Sequence, residues 1–434
     1  MAPFYFFAIV LPYNYLVFQK EGERLNSVQR KRPQWQQNLY VLWFGCFMTG
    51  MGFSLVLPFM SLYVDTLGKF THMQLNFWSG LTYSATYLVT AIVSPWWGRL
   101  ADRKGRKLML LRASAGMAII IGSMAFVTNV YQLVALRALQ GVVSGFISNA
   151  NALIATSAPR NKSGQALGTL STGGVTGQMI GPLLGGSIAG FFGYRVTFLI
   201  TALLLTTSFL LCLFFVHETF EPVEKGQQQP AKAIIQQLPQ PQLIIGMFVT
   251  TMFIMAANNS ISPIIALFVR ELMHGNGNVP LISGIVAALP GIATLIAAPQ
   301  FGKLGDRIGT QRILLLGLIF ATIVYLPQGF VTNVWQLAVL RVFVGISDAA
   351  LLPAVQTILA KYSPHTIAGR IFSYNQSFQS VGQVSGPLIG SGISGFLGYN
   401  GVFFTTAALE FINFVWVWRS TKPLRLKQKN NRQQ

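Results

Sequence analysis

Residues 98–107 read GRLADRKGRK, and residues 302–312 read GKLGDRIGTQR. Six of the first ten positions are charged in a chain where only 10% of residues are. The phrase returns at an offset of 204, from Gly98 to Gly302. Around both copies lie apolar runs of roughly 20 residues, recurring from Leu39 to Trp418 with short polar breaks between them. At about 1.5 Å per residue one such run crosses a hydrocarbon core of about 30 Å. With 52% apolar and 12% aromatic residues, the 434-residue chain reads as an all-α polytopic membrane protein.

Twelve spans can be placed, near 39–64, 77–97, 108–127, 131–154, 164–189 and 196–217, then 243–269, 280–300, 312–330, 335–358, 368–394 and 401–418. The two sets of six repeat one another. VTNVYQLVALRALQGV (127–142) matches VTNVWQLAVLRVFVGI (331–346) at nine of sixteen positions, and FFGYR at 191 matches FLGYN at 396. Six crossings return a chain to its starting side, so the repeats are parallel, as in rocker-type transporters that bind substrate where the halves meet. The expected division is an N-terminal extension (1–37), a first six-helix bundle (38–217), a linker (218–242), a second bundle (243–420) and a basic tail (421–434). The linker holds EKGQQQPAKAIIQQLPQPQ, rich in Gln and Pro. MAPFYFFAIVLPYNYLVF at the start is apolar, but Pro3, Pro12, Asn14 and its 18-residue length favour a membrane-surface or unstructured extension, or the product of an upstream start codon, over a thirteenth span.

A formal charge of +20 would suggest nucleic acid in a soluble protein. Its distribution argues otherwise. Three of the 31 Lys and Arg (Lys69, Arg195, Arg270) fall on one side of the spans, two (Arg137, Arg341) lie within them, and the remaining 26 fall on the other side. That asymmetry is the positive-inside rule and puts both chain ends in the cytoplasm. Cys46 and Cys212 sit singly in apolar runs, the four histidines are scattered, and no G-x-x-x-x-G-K-[ST] run is present. Metal, redox and ATP chemistry are therefore not expected, and neither is hydrolysis.

The charged phrase itself reads as a tight turn between spans two and three, with Gly98 and Gly105 allowing the reversal. Topology requires its basic residues but not the acid present in both copies, Asp102 and Asp306. Span four carries Arg137 in LVALRALQG (133–141); an arginine at that depth costs about 2.5–3.5 kcal/mol, so it has a role there, the plainest being a structural one satisfied by carbonyls and nearby amides. Span five carries GGVTGQMIGPLLGG (173–186), whose Gly173, Gly177, Gly181 and Gly185 form a flat ridge beside Pro182 and Gly186. Gly382, Gly386, Pro387 and Gly390 are its counterpart and its expected packing partner. Of eleven acids, only Asp348 and Glu410 lie well inside spans. Asp348 follows Arg341 by seven residues, two turns along one helix face, and is the leading titratable group, with Glu410 second. Tyr83, Tyr87, Asn149, Asn151, Asn258, Asn259, Gln356, Asn375, Gln376 and Phe378 supply the pool from which a central cavity would draw its walls.

G-x-L-A-D-R-x-G-R-K resembles the signature loop of the major facilitator superfamily, and the likeness extends over residues 38–420. The resemblance implies a twelve-helix fold of two pseudosymmetric bundles. It also implies that Gly98, Asp102, Arg103, Gly105 and Arg106, with Gly302, Asp306, Arg307 and Gly309, latch the halves in the outward-facing state. The second copy departs at Gln311, where a basic residue would sit. LVALRALQG, with Gln140 and Gly141 in register, resembles the pattern of proton-coupled members, which implies a part for Arg137 in proton coupling beside its structural one, and G-x-x-x-G-P-x-x-G-G resembles that of the drug/proton antiporter branch. ANALIATSAPRNKSGQALGTLSTGG and AGRIFSYNQSF resemble multidrug exporters of bacterial inner membranes. The implied activity is export of small drug-like molecules by a monomer, with the proton as coupling ion and no other cofactor. A sugar or metabolite exporter on the same fold, or a transporter-like sensor, are the alternatives.

Overall fold

In a computed structural model, residues 33–159, 162–219, 240–364 and 368–422 are described, the side chains at 102, 306, 368 and 369 excepted. Among them every regular element is helical. α1 (Gln34–Leu55) runs through a 3₁₀ turn (Leu57–Phe59) into α2 (Met60–Asp65). α3 (His72–Lys104), α4 (Arg106–Ser123), α5 (Val130–Val143), α6 (Phe146–Ser157), α7 (Ser163–Phe192) and α8 (Tyr194–Phe215) complete the first repeat. The second comprises α9 (Pro241–Ile261), α10 (Ile265–Leu272), α11 (Val279–Ile308), α12 (Thr310–Gln328), α13 (Val334–Tyr362) and α14 (Ala368–Ser420), the last broken into two arms at Gly398, φ 71°.

Nine helical stretches among the described residues are long and apolar enough to cross a membrane. The count rises to twelve for physical reasons. α3 is diluted with serine, threonine, tyrosine and tryptophan and α7 with glycine and threonine, and the two arms of α14 run on through Gly398 as one stretch. The first span starts at Gln34, ahead of the expected Leu39. The expected N-terminal extension up to residue 32 and the linker over 220–239 lie outside the described residues.

Two expectations are corrected. GRLADRK is helix rather than turn: α3 continues to Lys104, and only Gly105 (φ 89°) reverses the chain, as Gly309 (φ 102°) does after α11. Gly98 and Gly302 are helical. The glycine ridges also do not pack on each other. A Cβ on Gly177 or Gly181 would strike the backbone of α1, 2.7 Å from Met51 N and 2.8 Å from Met51 O respectively, and one on Gly185 would collide with the Leu55 carbonyl. Gly382, Gly386 and Gly390 stand in the same way against Met252, Ala256 and Ser260 of α9. Phe47, Met51 and Leu55 become Met252, Ala256 and Ser260 on adding 205, so the duplication is visible in individual contacts.

The two repeats share one apolar core at one end and part at the other. A single buried cluster joins Phe59, Tyr63 and Phe198 of the first repeat to Ile264, Phe268 and Phe403 of the second. Toward the end carrying most of the basic residues it gives way to separate clusters, around Leu42 and Phe146 in the first repeat and around Leu318 and Val355 in the second. The contacts between halves follow the same gradient. α3 meets α14 at Ser84, whose Oγ donates to Val384 O (2.9 Å), and at Gly80 against Pro387 and Ser391. α7 meets α11 where Gly186 faces Gly284 and Pro280. Further along these helices, Gly98, Gly164, Gly168 and Gly302 have nothing within 4 Å of where a Cβ would stand. The halves form a V, closed at one end and open at the basic end.

Gly177→Val, a change inside one bundle, is expected to lower the thermal midpoint of the purified protein by several degrees, the effect of roughly 1–3 kcal/mol of overpacking. Gly186→Val acts between the bundles and is expected to leave that midpoint nearly unchanged while opening the closed end. Labelling of a cysteine placed at the buried Ser283 by an impermeant maleimide would report the difference.

Candidate functional site

The helix faces that touch at the closed end continue, at three- and four-residue spacing, into the walls of the opening. On α3 the face runs from Gly80 and Ser84 to Tyr87, Leu88 and Ala91; on α14, from Pro387 and Val384 to Val381 and Ser377. Leu88 (48%), Val381 (53%), Val175 (46%) and Leu295 (55%), on the continuation of these faces, are exposed. Tyr87 lies on this wall, with Phe53 edge-on to it at 6.1 Å. Trp43 donates from Nε1 to Thr172 Oγ1 (2.9 Å), and Phe378 stacks on Phe248 at 5.5 Å.

The other wall candidates divide by their contacts. Tyr83 is buried and donates its hydroxyl to the Leu57 carbonyl, and Asn375 is buried, accepting from Thr251 Oγ1 (2.8 Å). Asn149 and Asn259 donate to carbonyls of their own helix stretch, Gly145 O (2.7 Å) and Met255 O (2.8 Å). Gln356 and Gln376 are exposed, and Asn151 is half-buried.

Arg137 is wholly buried. Its Nε donates to Thr82 O (2.9 Å), one Nη to Gln140 Oε1 (2.8 Å), and Thr86 Oγ1 donates to its carbonyl (2.8 Å). One turn on, a Cβ at Gly141 would stand 2.5 Å from Thr86 O, so glycine there lets α5 lie directly on α3. The arginine, Gln140 and Gly141 thus act together as a clamp between two helices. Its second Nη is buried and unpartnered. The helix breaks just beyond, at Gly145 (φ 109°), where Trp97 Nε1 and Arg112 donate to the released Val142 and Ser144 carbonyls and the guanidinium lies 3.7 Å over the Trp97 ring. In the second repeat α13 is unbroken.

Asp348 is half-buried and accepts from Asn258 Nδ2 (3.1 Å) rather than pairing with Arg341. Asn258 in turn accepts from the buried Tyr325 hydroxyl (3.0 Å). Three helices, α9, α12 and α13, therefore converge on one carboxylate. Arg341 has its Nε buried without a partner, and Glu410, 1% exposed, has no partner on either oxygen.

The charged phrases close the basic end of α3 and α11. Arg103 and Arg307 stand in the last helical turns, where a positive charge complements the helix dipole. The side chains of Asp102 and Asp306 lie outside the described residues. A contact with no sequence signal braces the first phrase: Glu218, just past α8, accepts from the backbone N–H groups of Arg106 (2.8 Å) and Lys107 (2.7 Å), capping α4. Sequence reasoning also missed the pair across the closed end, Arg270 Nη1 to Asp65 Oδ2 at 2.5 Å. A signal existed: Asp65 and Arg270 are 205 residues apart, so opposite charges occupy one repeat position and meet on the pseudo-twofold axis. Ser61 Oγ donates to Pro263 O (2.5 Å) beside them.

The sequence model of the Major Facilitator Superfamily matches residues 42–279 and 247–434. The chain is 52% identical to the multidrug resistance protein MdtG of Dickeya zeae over 399 residues, covering 92% of this chain and 97% of the relative. It is also 52% identical to the protein of that name from Salmonella arizonae, over 90% of this chain and 97% of the relative. Among solved structures, a bacterial homologue of the human lysosomal transporter Spinster, in an inward-facing and occupied conformation, superposes with a TM-score of 0.74 at 15% identity over 90% of this chain and 98% of that one. The human organic anion transporter MFSD10 superposes at 0.66, with 15% identity over 89% and 100%.

Arg137→Lys retains the charge but cannot serve both acceptors, and is expected to cost roughly 1–3 kcal/mol in thermal unfolding. At the closed end, Asp65→Asn or Arg270→Gln is expected to shift the balance of conformations by up to about five-fold, the effect of a half-exposed pair worth ~0.2–1 kcal/mol. The exchanged double variant, Asp65→Arg with Arg270→Asp, is expected to restore it. Distances between spin labels at Thr66 and Glu271 measure both.

Proposed function

This chain belongs to the Major Facilitator Superfamily and is a multi-pass membrane transporter of small molecules, not an enzyme; on that premise we propose that it exports drug-like compounds in exchange for protons. The observation that carries the reading is a half-buried Asp348 tied by Asn258 to two further helices, in a bundle whose opening reaches the interior from the basic end. A carboxylate at that depth exchanges protons with the water of the opening, and its hydrogen bonds link its charge state to how α9, α12 and α13 pack.

By the positive-inside rule the basic end is cytoplasmic, with both ends of the chain on that side, and the conformation described is open inward. The membrane is the bacterial inner membrane and the working unit a monomer. Substrate enters from the cytoplasm against aromatic walls formed by Trp43, Phe53, Tyr87 and Phe378, which suit bulky and variable compounds better than a fixed set of charges would. The relatives at 52% identity, named multidrug resistance proteins, support that substrate class. Protonation of Asp348 from outside and its release inside would drive the cycle. Arg137 serves it by holding α5 to α3 rather than by releasing a proton.

In everted vesicles carrying a proton gradient, adding a transported compound is expected to release protons with the wild type. Asp348→Asn is expected to lower that release by about 100-fold or to background. Undiminished release in the variant would remove Asp348 from the coupling step, and no release in the wild type with any compound would remove antiport.

A further inference from the structure

Glu410 is a buried acid that the reading above does not use. It lies on the second arm of α14, 1% exposed, and neither carboxyl oxygen has a hydrogen-bond partner. Thr406 and Asn413, a turn to either side, carry the polar face onward. Thr406 shares a hydrogen bond with Ser260 (2.8 Å), while Asn413 reaches Thr250 O at 3.5 Å and has its own Oδ1 unpartnered. The ionisable and polar groups within electrostatic reach of it are Asp348 on α13, Tyr325 on α12 and Asn413 on its own arm; Arg341 on α13 faces Asp348 and Tyr325.

The first repeat gives an internal control, because the same backbone architecture is built there with different residues. At the offsets that align the repeats, Glu410 answers to Leu205, Tyr325 to Ile121, Asn258 to Phe53 and Asp348 to Ser144. Leu205 and Ile121 are buried in the apolar core. The scaffold therefore does not call for a carboxyl at this position. A buried ionised carboxylate without a partner is strongly unfavourable, whereas leucine there carries no such penalty. Retaining an acid at such a site has a use only if its proton comes and goes.

We propose that Glu410 is the holding site for the coupled proton, filled from and emptied to Asp348. The inference rests on the proton-antiport reading and deepens it. Asp348, half-buried, meets the water of the opening; Glu410, sealed, keeps the proton while the halves rock. Transfer moves one proton from the Glu410 carboxyl to the Asp348 carboxylate, or back, so one acid gains the negative charge that the other loses. Tyr325, hydrogen-bonded to Asn258, has both acids within electrostatic reach. Asp348 then needs no permanent ion pair, in keeping with its amide partner.

Two readouts separate this proposal from its premise. In detergent-purified full-length protein at neutral pH, infrared spectroscopy is expected to show the C=O stretch of a protonated buried carboxylic acid, shifted in heavy water. The band should persist in Asp348→Asn and vanish in Glu410→Gln; an unchanged band in Glu410→Gln overturns the proposal whatever the transport mechanism. In the everted-vesicle assay, Glu410→Gln is expected to lose compound-driven proton release by about 100-fold while still binding compound, and Glu410→Asp to keep part of it. Full release in Glu410→Gln, with wild-type release intact, overturns Glu410 alone, whereas absence of release in the wild type overturns antiport and this proposal with it. Glu410→Leu, the residue of the first repeat, is expected to unfold no earlier than wild type, and marked destabilisation would assign the carboxyl a structural role instead.

Discussion

Everything in this structure depends on helices brought to backbone contact by glycine. Where Gly177 faces Phe47 O and Gly382 faces Met252 O, the helix backbones come into direct contact, and dispersion contacts run along the seam. Lipid offers apolar side chains no advantage in leaving it, so close packing of this kind is what holds membrane helices together. The seams α1–α7 and α9–α14 make each half a rigid body. Between the halves glycine brings backbones together over a short stretch, at Gly186 and Gly284 with Pro280 and Pro182 and at Gly80 with Pro387, near the closed end. Rigidity within a half and a short contact between halves are the mechanical requirements for rocking.

Against this shared frame the halves differ in what they bury. The first repeat uses Arg137 as a connector, with donors placed on Thr82 and Gln140, and fills the rest with hydrocarbon. The second puts Arg341 at the same position and adds Asp348, Tyr325, Asn258 and Glu410, leaving buried atoms of Arg341 and Glu410 without partners. An unpaired buried carboxyl is costly, and the first repeat, with Leu205 in the place of Glu410, shows that the architecture stands without one. On the proposed mechanism this asymmetry confines proton chemistry to the second half.

Twelve spans, the duplication and the sidedness of charge were legible because each is a property of many residues taken together. The extent of the charged phrase was not: Gly98 suggests a turn, yet the helix continues through it, since glycine only permits a reversal and Gly105 alone adopts one. The partners of the glycine ridges were misassigned because a ridge says that some backbone comes close without saying whose. The pair Asp65–Arg270 was hidden for a different reason. Each residue reads as an ordinary charge at a helix end, and only their shared place in the repeat reveals that they meet.

That pair bears on how the two ends are balanced. A rocking transporter needs both closed states within a few kcal/mol of each other, because a contact too strong at one end would hold the protein there. A buried ion pair would cost about 3–5 kcal/mol to break. Asp65 and Arg270, with side chains about one-third exposed, can be parted into water, where each recovers its hydration and little is lost. On the proposed mechanism the basic phrases at the other end act under the same constraint. They sit at the solvated tips of α3 and α11, with Glu218 bracing the helix that follows, and charges at such a tip are taken back by water when the halves part there.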